Sequence, residues 1–205
     1  MKTQISFGMK NIYDKYIIGI SFGFHDSAVA LIQNGVVLNA VEEERFTGIK
    51  HDNNFPINSI NWILKNNNIT GKDISAVCYY ENPTLKYDRD KKSYWKYFWK
   101  NPFNFPKKKS ELTQFDFIFP NAKVFIGNHH LSHLAYSYFT SDFEESAILS
   151  VDGVGEWDTT VMAYGKDNTI ERKGEVIYPH SLGLLYSTIT AFLGFKPNEG
   201  EYKVM

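Results

Sequence analysis

The sequence predicts an α/β fold built around a mixed sheet, and its opening segment carries the observations behind this prediction. Three short apolar stretches rich in β-branched residues follow one another, and Asn34-Gly35, a dipeptide typical of tight hairpins, separates the second from the third. A stretch with apolar residues at helical spacing comes next, and a fourth strand-like stretch follows it. The order β-β-β-α-β predicts an antiparallel meander that continues, past a helix, into a mixed sheet with the helix on one face.

The bounds of the predicted elements follow from where each apolar pattern begins and ends. In the first half we expect a helix over 57–66 and strands over 16–22, 27–33, 36–41 and 75–80. In the second half a strand over 123–127 leads into a helix after Asn128, a residue type favoured at helix N-caps. Further strands are predicted over 146–151, 159–164 and 170–177, and a helix over 180–193 that Gly194 ends.

The composition is that of a chain with a sizeable buried core and no excess charge. Apolar residues make up 43% of the 205 residues, and the net charge of −1 gives no general attraction to nucleic acid or anionic membranes. Cys78 is the single cysteine, which excludes an internal disulfide, and its apolar neighbours predict that it packs in the core. We find no apolar run with the length of a signal peptide or a membrane span, so we expect a cytoplasmic protein.

Residues 83–120 interrupt the alternation of strands and helices. Between Lys86 and Lys109 there are nine Lys or Arg residues against two Asp, interleaved with tyrosine, tryptophan and phenylalanine. Such a segment could bind nucleic acid or a membrane surface, or it could pack its aromatic rings on the domain and leave its lysines in water. We favour packing, because no other part of the chain indicates nucleic acid, and we expect neither a nucleic-acid nor a membrane partner.

The clearest candidate site is a histidine cluster at the start of the predicted second-half helix, Asn128-His-His-Leu-Ser-His133. Positions four apart stack on one helix face, so His129 and His133 can hold one metal ion between them. Neutral imidazole suits zinc, iron or manganese, and a carboxylate is then expected as the third ligand. The alternative is that both histidines are surface or capping residues.

A second candidate segment follows directly, where an apolar strand ends in Asp152 and a turn contains Gly153 and Gly155. A carboxylate at a strand end is well placed to be the third metal ligand, and the two glycines could let a phosphate or acyl group approach the main chain. Glu156 and Asp158 come next, and one of them could orient a substrate. The alternative is an ordinary hairpin with Asp152 in the turn.

The loop between the first two strands displays His25 and Asp26. His25 could act as a general base on an acceptor hydroxyl, or Asp26 could cap the turn and leave His25 in solvent. The later segment Glu42-Glu-Glu-Arg-Phe-Thr-Gly-Ile-Lys-His-Asp offers Arg45 and Lys50, which could hold a phosphate or a carboxylate or could form surface ion pairs.

With these segments assembled, the chain resembles the amino-terminal domain of the O-carbamoyltransferase family that includes nodulation-factor and antibiotic carbamoyltransferases. The matching segments run in order through nearly the whole chain and are highly specific together. They are Gly23-Phe-His-Asp-Ser-Ala-Val-Ala-Leu, Glu42-Glu-Glu-Arg-Phe-Thr-Gly-Ile-Lys-His-Asp, His129-His-Leu-Ser-His-Leu-Ala, Ser150-Val-Asp-Gly-Val-Gly-Glu-Trp-Asp-Thr-Thr, Ser181-Leu-Gly-Leu-Leu-Tyr-Ser and Gly200-Glu-Tyr-Lys-Val-Met.

The resemblance implies an actin-like or hexokinase-like ATPase fold, related to the enzyme that completes threonylcarbamoyl modification of tRNA. It further implies that a YrdC-like domain makes carbamoyl adenylate from ATP and carbamoyl phosphate, and that the domain resembled here passes the carbamoyl group to a hydroxyl of a sugar or other small molecule. By position, His129, His133 and Asp152 match metal ligands, with iron the expected metal. His25 matches a residue at the transfer site, and Lys50 lies in a matching motif.

On this resemblance, residues 16–205 form the amino-terminal part of the catalytic domain and 1–15 a leader outside it. The chain ends at Met205 inside a motif that continues in the family, so we expect the second half of the fold and the YrdC-like domain to be missing and the chain to be inactive alone. Two alternatives stay open, a truncated remnant without catalysis and a relative of sugar kinases. The paired histidines argue against a kinase, because kinases rely on Asp and Mg²⁺.

Overall fold

The computed structural model describes residues 15–97 and 112–205. Within them the chain forms two compact units. The first unit comprises 15–80 and 112–127, and the second comprises 81–97 and 128–205.

The elements follow the chain in this order: β1 (Tyr16–Ser21), β2 (Ala28–Gln33), β3 (Val36–Glu42), α1 (Glu44–Thr47), α2 (Ile57–Asn66), β4 (Ile74–Tyr79), α3 (Pro83–Tyr97), α4 (Thr113–Ile118), β5 (Lys123–Ile126), α5 (His129–Phe139), β6 (Glu145–Val151), β7 (Asp158–Lys166), β8 (Thr169–Ile177) and α6 (Leu182–Phe192). Short 3-10 helices occur at Gly71–Asp73 and Glu201–Lys203. The predicted elements are all present, with ends that differ by one or two residues.

The first unit is built on a five-stranded sheet in the order β3-β2-β1-β4-β5. β1, β2 and β3 pair antiparallel, whereas β4 pairs parallel with both β1 and β5. Asn34 and Gly35 both have positive φ angles, 53° and 78°, as a tight hairpin between β2 and β3 requires. The predicted α/β class, the β-β-β-α-β opening and the mixed sheet are confirmed, and the actin/hexokinase-like type is what the family resemblance implies.

The core of the first unit joins the sheet to α2 and α4. Ile60 and Ile63 of α2 are fully buried against strand residues such as Ile18 and Val77, which confirms the helix face expected from the apolar spacing. Cys78 is exposed, so its predicted core position is wrong. Its neighbours on β4 point into the core, and because side chains alternate along a strand, Cys78 faces away.

The second unit is built on the antiparallel sheet β6-β7-β8. Leu134 and Tyr138 of α5 pack on one face of it, against Ile148, Val161 and Ala163. Ser181 caps the start of α6 by accepting the Leu184 N–H, and Gly194, with φ of 84°, follows its end. This packing fixes the helix that carries the paired histidines against β6, the strand that ends directly before Asp152.

The segment 83–120, which interrupts the predicted alternation of strands and helices, is largely helical where it is described. Residues 98–111 lie outside the described residues. On α3, Lys86 pairs with Glu81, Arg89 pairs with Asp90, and Lys92 lies over the ring of Trp157. These contacts fit the packing interpretation of the basic segment. Among the described residues, the helices are too short or too polar to cross a bilayer.

Candidate metal centre

The paired histidines lie on the first turns of α5, and local sequence sets their positions. The Asn128 side chain accepts the Leu131 N–H at 3.0 Å, which is the N-cap predicted from sequence and fixes where the helix begins. His129 and His133 are then one helical turn apart, and their Nε2 atoms lie 3.1 Å from each other.

Asp152 lies directly after β6 and completes a three-residue cluster. Its Oδ2 atom is 2.6 Å from His129 Nε2 and 3.8 Å from His133 Nε2. The side chain of His129 is 10% exposed, that of Asp152 34% and that of His133 54%. The cluster is therefore anchored in the protein at His129 and open to solvent at His133.

The electrostatics of the cluster couple the His129 imidazole to carboxylates on both sides. Burial lowers the pKa of His129, but the hydrogen bond with Asp152 and the nearby Glu81 carboxylate outweigh it and raise this pKa to about 9. The same contacts, led by the hydrogen bond with His129, hold the pKa of Asp152 well below its usual range. Asp152 is thus ionised at neutral pH.

These residues fit a transition-metal site. One ligand atom from each of His129, His133 and Asp152 lies within 4.8 Å of the other two, close enough to share an ion. Two imidazole nitrogens and one carboxylate oxygen are a donor set that suits iron, zinc or manganese, and three protein ligands leave positions open for a substrate. The structure brings together the three residues predicted as ligands, and metal binding by them is a prediction.

Glu156 is a buried carboxylate that helps to fix the position of His129 at the start of α5. Its side chain is almost fully buried, and its carboxylate accepts the backbone N–H groups of Asn82 and His129 and the side-chain amide of Asn128. It therefore satisfies the N-termini of both α3 and α5. Glu156 is buried and Asp158 pairs with Arg172 at 3.0 Å, and substrate orientation by either residue stays a prediction.

The two glycines after Asp152 serve the packing of the site. A Cβ at Gly155 would lie 3.0 Å from atoms of the His129 side chain, so the turn approaches the imidazole only because this residue is glycine. The Gly153 N–H donates to Asp152 Oδ1 and the Gly155 N–H to the Asp158 carbonyl. With both N–H groups engaged, the geometry favours support of the metal centre, and contact with a phosphate or acyl group stays a prediction.

Gly183, which the sequence analysis did not single out, allows α6 to approach the same turn. The Ser181 hydroxyl donates to the Gly153 carbonyl at 2.6 Å, which places the start of α6 against Asp152. A Cβ at Gly183 would lie 2.6 Å from the Asp152 carbonyl oxygen and 2.7 Å from the Gly153 nitrogen. Both are backbone atoms, so the first turn of α6 must contain a residue without a side chain here.

Gly183→Ala is therefore expected to displace α6 from the Asp152 turn, to lower the free energy of unfolding by about 1–3 kcal/mol and to weaken metal binding. Urea denaturation and metal titration of the variant test this. Gly19→Ala is the control, because a Cβ there has only the Ala30 carbonyl oxygen nearby, at 4.0 Å. Equal stability of the two variants would show that α6 tolerates the added methyl group.

In the first unit, Asp26 links two histidines. Its two carboxylate oxygens lie 2.8 Å from Nδ1 of His25 and 2.8 Å from Nδ1 of His51, and the His51 backbone N–H donates to Glu44. His25 is thus oriented by Asp26, which leaves its Nε2 available as a base. Sequence reasoning noted His51 but missed this pairing, because the contact spans 25 positions.

The remaining candidates of the first unit lie on its surface. Lys50 is exposed, next to His51, and its predicted role in catalysis stays a prediction. Arg45 forms ion pairs with Glu42 at 3.1 Å and Glu44 at 3.8 Å. These are the surface ion pairs that the sequence analysis gave as the alternative to anion binding.

The family model described as "Carbamoyltransferase N-terminus" matches residues 16–205. The chain is 39% identical over 207 residues to an uncharacterized protein of Synechocystis, covering 93% of this chain and 34% of that protein. It is 31% identical to the nodulation protein NolNO of Sinorhizobium fredii, covering 98% of this chain and 30% of that protein.

Among solved structures, YeaZ from Pseudomonas aeruginosa is similar with a TM-score of 0.44 and 12% identity, covering 80% of this chain and 67% of YeaZ. The chain spans about a third of the length of the curated relatives it matches. Because the family model matches the chain from residue 16 to residue 205, this protein belongs to the carbamoyltransferase N-terminus family.

Proposed function

We propose that this chain is the metal-holding, amino-terminal part of an O-carbamoyltransferase. The reaction moves a carbamoyl group from carbamoyl adenylate, made from ATP and carbamoyl phosphate, to a hydroxyl of a sugar or other small molecule. The observation that carries the proposal is the convergence of His129, His133 and Asp152 in a chain of this family, with their ligand atoms within 4.8 Å.

The residues of the metal centre have different proposed roles in binding the metal and in orienting its ligands. Iron held by His129, His133 and Asp152 would act as a Lewis acid that polarises the carbonyl of the transferred group. His129 is held in place by Asp152 on one side and by the buried start of α5 on the other. His133 faces solvent, so the donor would approach from its side.

His25 is proposed as the base that takes the proton of the acceptor hydroxyl. Asp26 binds its Nδ1, so Nε2 carries the lone pair that accepts a proton, and the side chain is 55% exposed and therefore accessible. Lys50 is proposed to hold an anionic group of the donor, as its exposed ammonium allows.

Turnover is proposed to need further segments of the kind that the longer relatives have. Carbamoyl transfer requires the donor, the acceptor and the metal to be held together away from water, and more than half of the His133 side chain is exposed here. We therefore expect the 205-residue chain to bind metal without transferring a carbamoyl group on its own.

A chimaera tests this function, with residues 16–205 in place of the matching third of NolNO and with NolNO itself assayed alongside. Radiolabelled carbamoyl phosphate, ATP and a panel of sugar hydroxyl acceptors are supplied. We expect labelled carbamate ester from the chimaera, none from its His129→Ala/His133→Ala variant, and normal yield from His180→Ala, which changes an exposed histidine outside the cluster.

The alternatives predict other products. Phosphorylated acceptor in place of carbamate would favour the sugar-kinase relative. A folded, metal-loaded chimaera that makes no product while NolNO does would favour the non-catalytic remnant.

A further inference from the structure

Glu81 is a buried carboxylate two residues before α3 that the proposed reaction does not use. Only 4% of its side chain is exposed. Its Oε2 lies 3.6 Å from His129 Nδ1, and its Oε1 lies 2.5 Å from the ammonium of Lys86. It therefore contacts the His129 ring on the nitrogen that faces away from Asp152 and His133.

This geometry is that of a supporting carboxylate behind a metal ligand. A histidine that ligates a metal through one nitrogen usually donates its other N–H to a carboxylate, which fixes the tautomer and the ring orientation. In His129, Nε2 lies 2.6 Å from Asp152 and Nδ1 lies 3.6 Å from Glu81, at ion-pair distance, so each nitrogen faces a separate carboxylate.

Lys86 offsets the charge that Glu81 brings into the protein. A buried carboxylate without a counter-charge is costly, and the Lys86 side chain, 20% exposed, lies within ion-pair distance. One turn further along α3, the Arg89 guanidinium donates to the Gly155 carbonyl, in the turn that packs against His129. The basic start of the 83–120 segment thus contacts the metal centre at two points.

We propose that Glu81 is a positioning residue of the metal centre, which holds His129 through Nδ1, and that Lys86 is its counter-ion. The lysine and arginine residues at the start of α3 then have a function at the metal centre, in place of the nucleic-acid or membrane binding that their composition suggested. The inference rests on the metal centre of the proposed function.

Titration of the full chain with Co²⁺, followed by its visible absorption spectrum, tests this. Glu81→Gln keeps the shape of the side chain and removes its charge, and we expect Co²⁺ affinity to fall about 10–100-fold with a changed spectrum. Lys86→Met is expected to weaken binding by a smaller factor. Lys91→Met changes an exposed lysine of the same helix and is expected to leave both affinity and spectrum unchanged.

The outcomes separate the two proposals. If the wild-type chain binds no Co²⁺, both the proposed metal centre and this inference are contradicted. Wild-type binding that Glu81→Gln leaves unchanged in affinity and spectrum would overturn the role of Glu81 alone. If Glu81→Gln does not fold, Lys86→Met decides, and wild-type affinity in that variant would overturn the inference.

Discussion

Glu156→Ala is expected to lower the free energy of unfolding by about 3 kcal/mol or more, because each buried donor left without an acceptor costs about 1–3 kcal/mol. The carboxylate accepts from three donors, the backbone N–H groups of Asn82 and His129 and the side-chain amide of Asn128. These groups lie at the start of α3 and α5. Loss of Glu156 therefore loosens both helices, and with α5 the position of His129.

Urea denaturation measures this effect, with Glu171→Ala as the matched control. Glu171 is an exposed glutamate on β8, 61% accessible, and its removal is expected to change the free energy of unfolding by no more than about 0.5 kcal/mol. A Glu156→Ala variant as stable as Glu171→Ala would show that Glu156 does not anchor the two helices.

Lowering the pH from 8 to 6 is expected to weaken metal binding at least a hundredfold, because the metal competes with the proton on His129. The pKa of His129 in the metal-free protein is about 9, so its ring is protonated across this range, whereas a metal ligand must be neutral. Each binding event then releases a proton, and affinity falls about tenfold for each pH unit lost. Asp152 stays ionised throughout, since its pKa lies below the usual range.

Competition with a chelator of known affinity measures how the metal affinity of the chain changes between pH 6 and 8. The Glu81→Gln variant is the comparison, because it keeps the three ligands but removes a charge that raises the pKa of His129, which flattens the slope. A pH-independent affinity in the wild-type chain would show that His129 is not among the ligands.

The parts of the fold that depend on neighbouring residues were predictable from sequence. The Asn34-Gly35 hairpin, the buried face of α2 and the Asn128 cap each depend on residues within a few positions of one another. The strand order was not predictable in the same way, because β5 joins the sheet from beyond residue 112. Cys78 shows the same limit, since composition predicts a buried strand without saying which face is covered.

The same distinction between local and long-range contacts applies to the residues of the candidate site. His129 and His133 were found because a spacing of four on a helix is a local pattern, and Asp152 because a strand ends beside glycines. Glu81 and Gly183 carry no such pattern. Their contacts with His129 and with the Asp152 turn span 48 and about 30 positions and exist only once α3, α5 and α6 are packed.

Metal content of the purified chain tests the central claim most directly. Three proteins are compared: the wild-type chain, the His180→Ala control and the His129→Ala/His133→Ala variant. Each is loaded anaerobically with Fe²⁺ and freed of excess metal, and its iron content is measured by elemental mass spectrometry. We predict about one iron per chain in the first two proteins and none above background in the double variant. Equal iron in all three proteins, or none in any, would contradict the assignment of a metal centre to His129, His133 and Asp152.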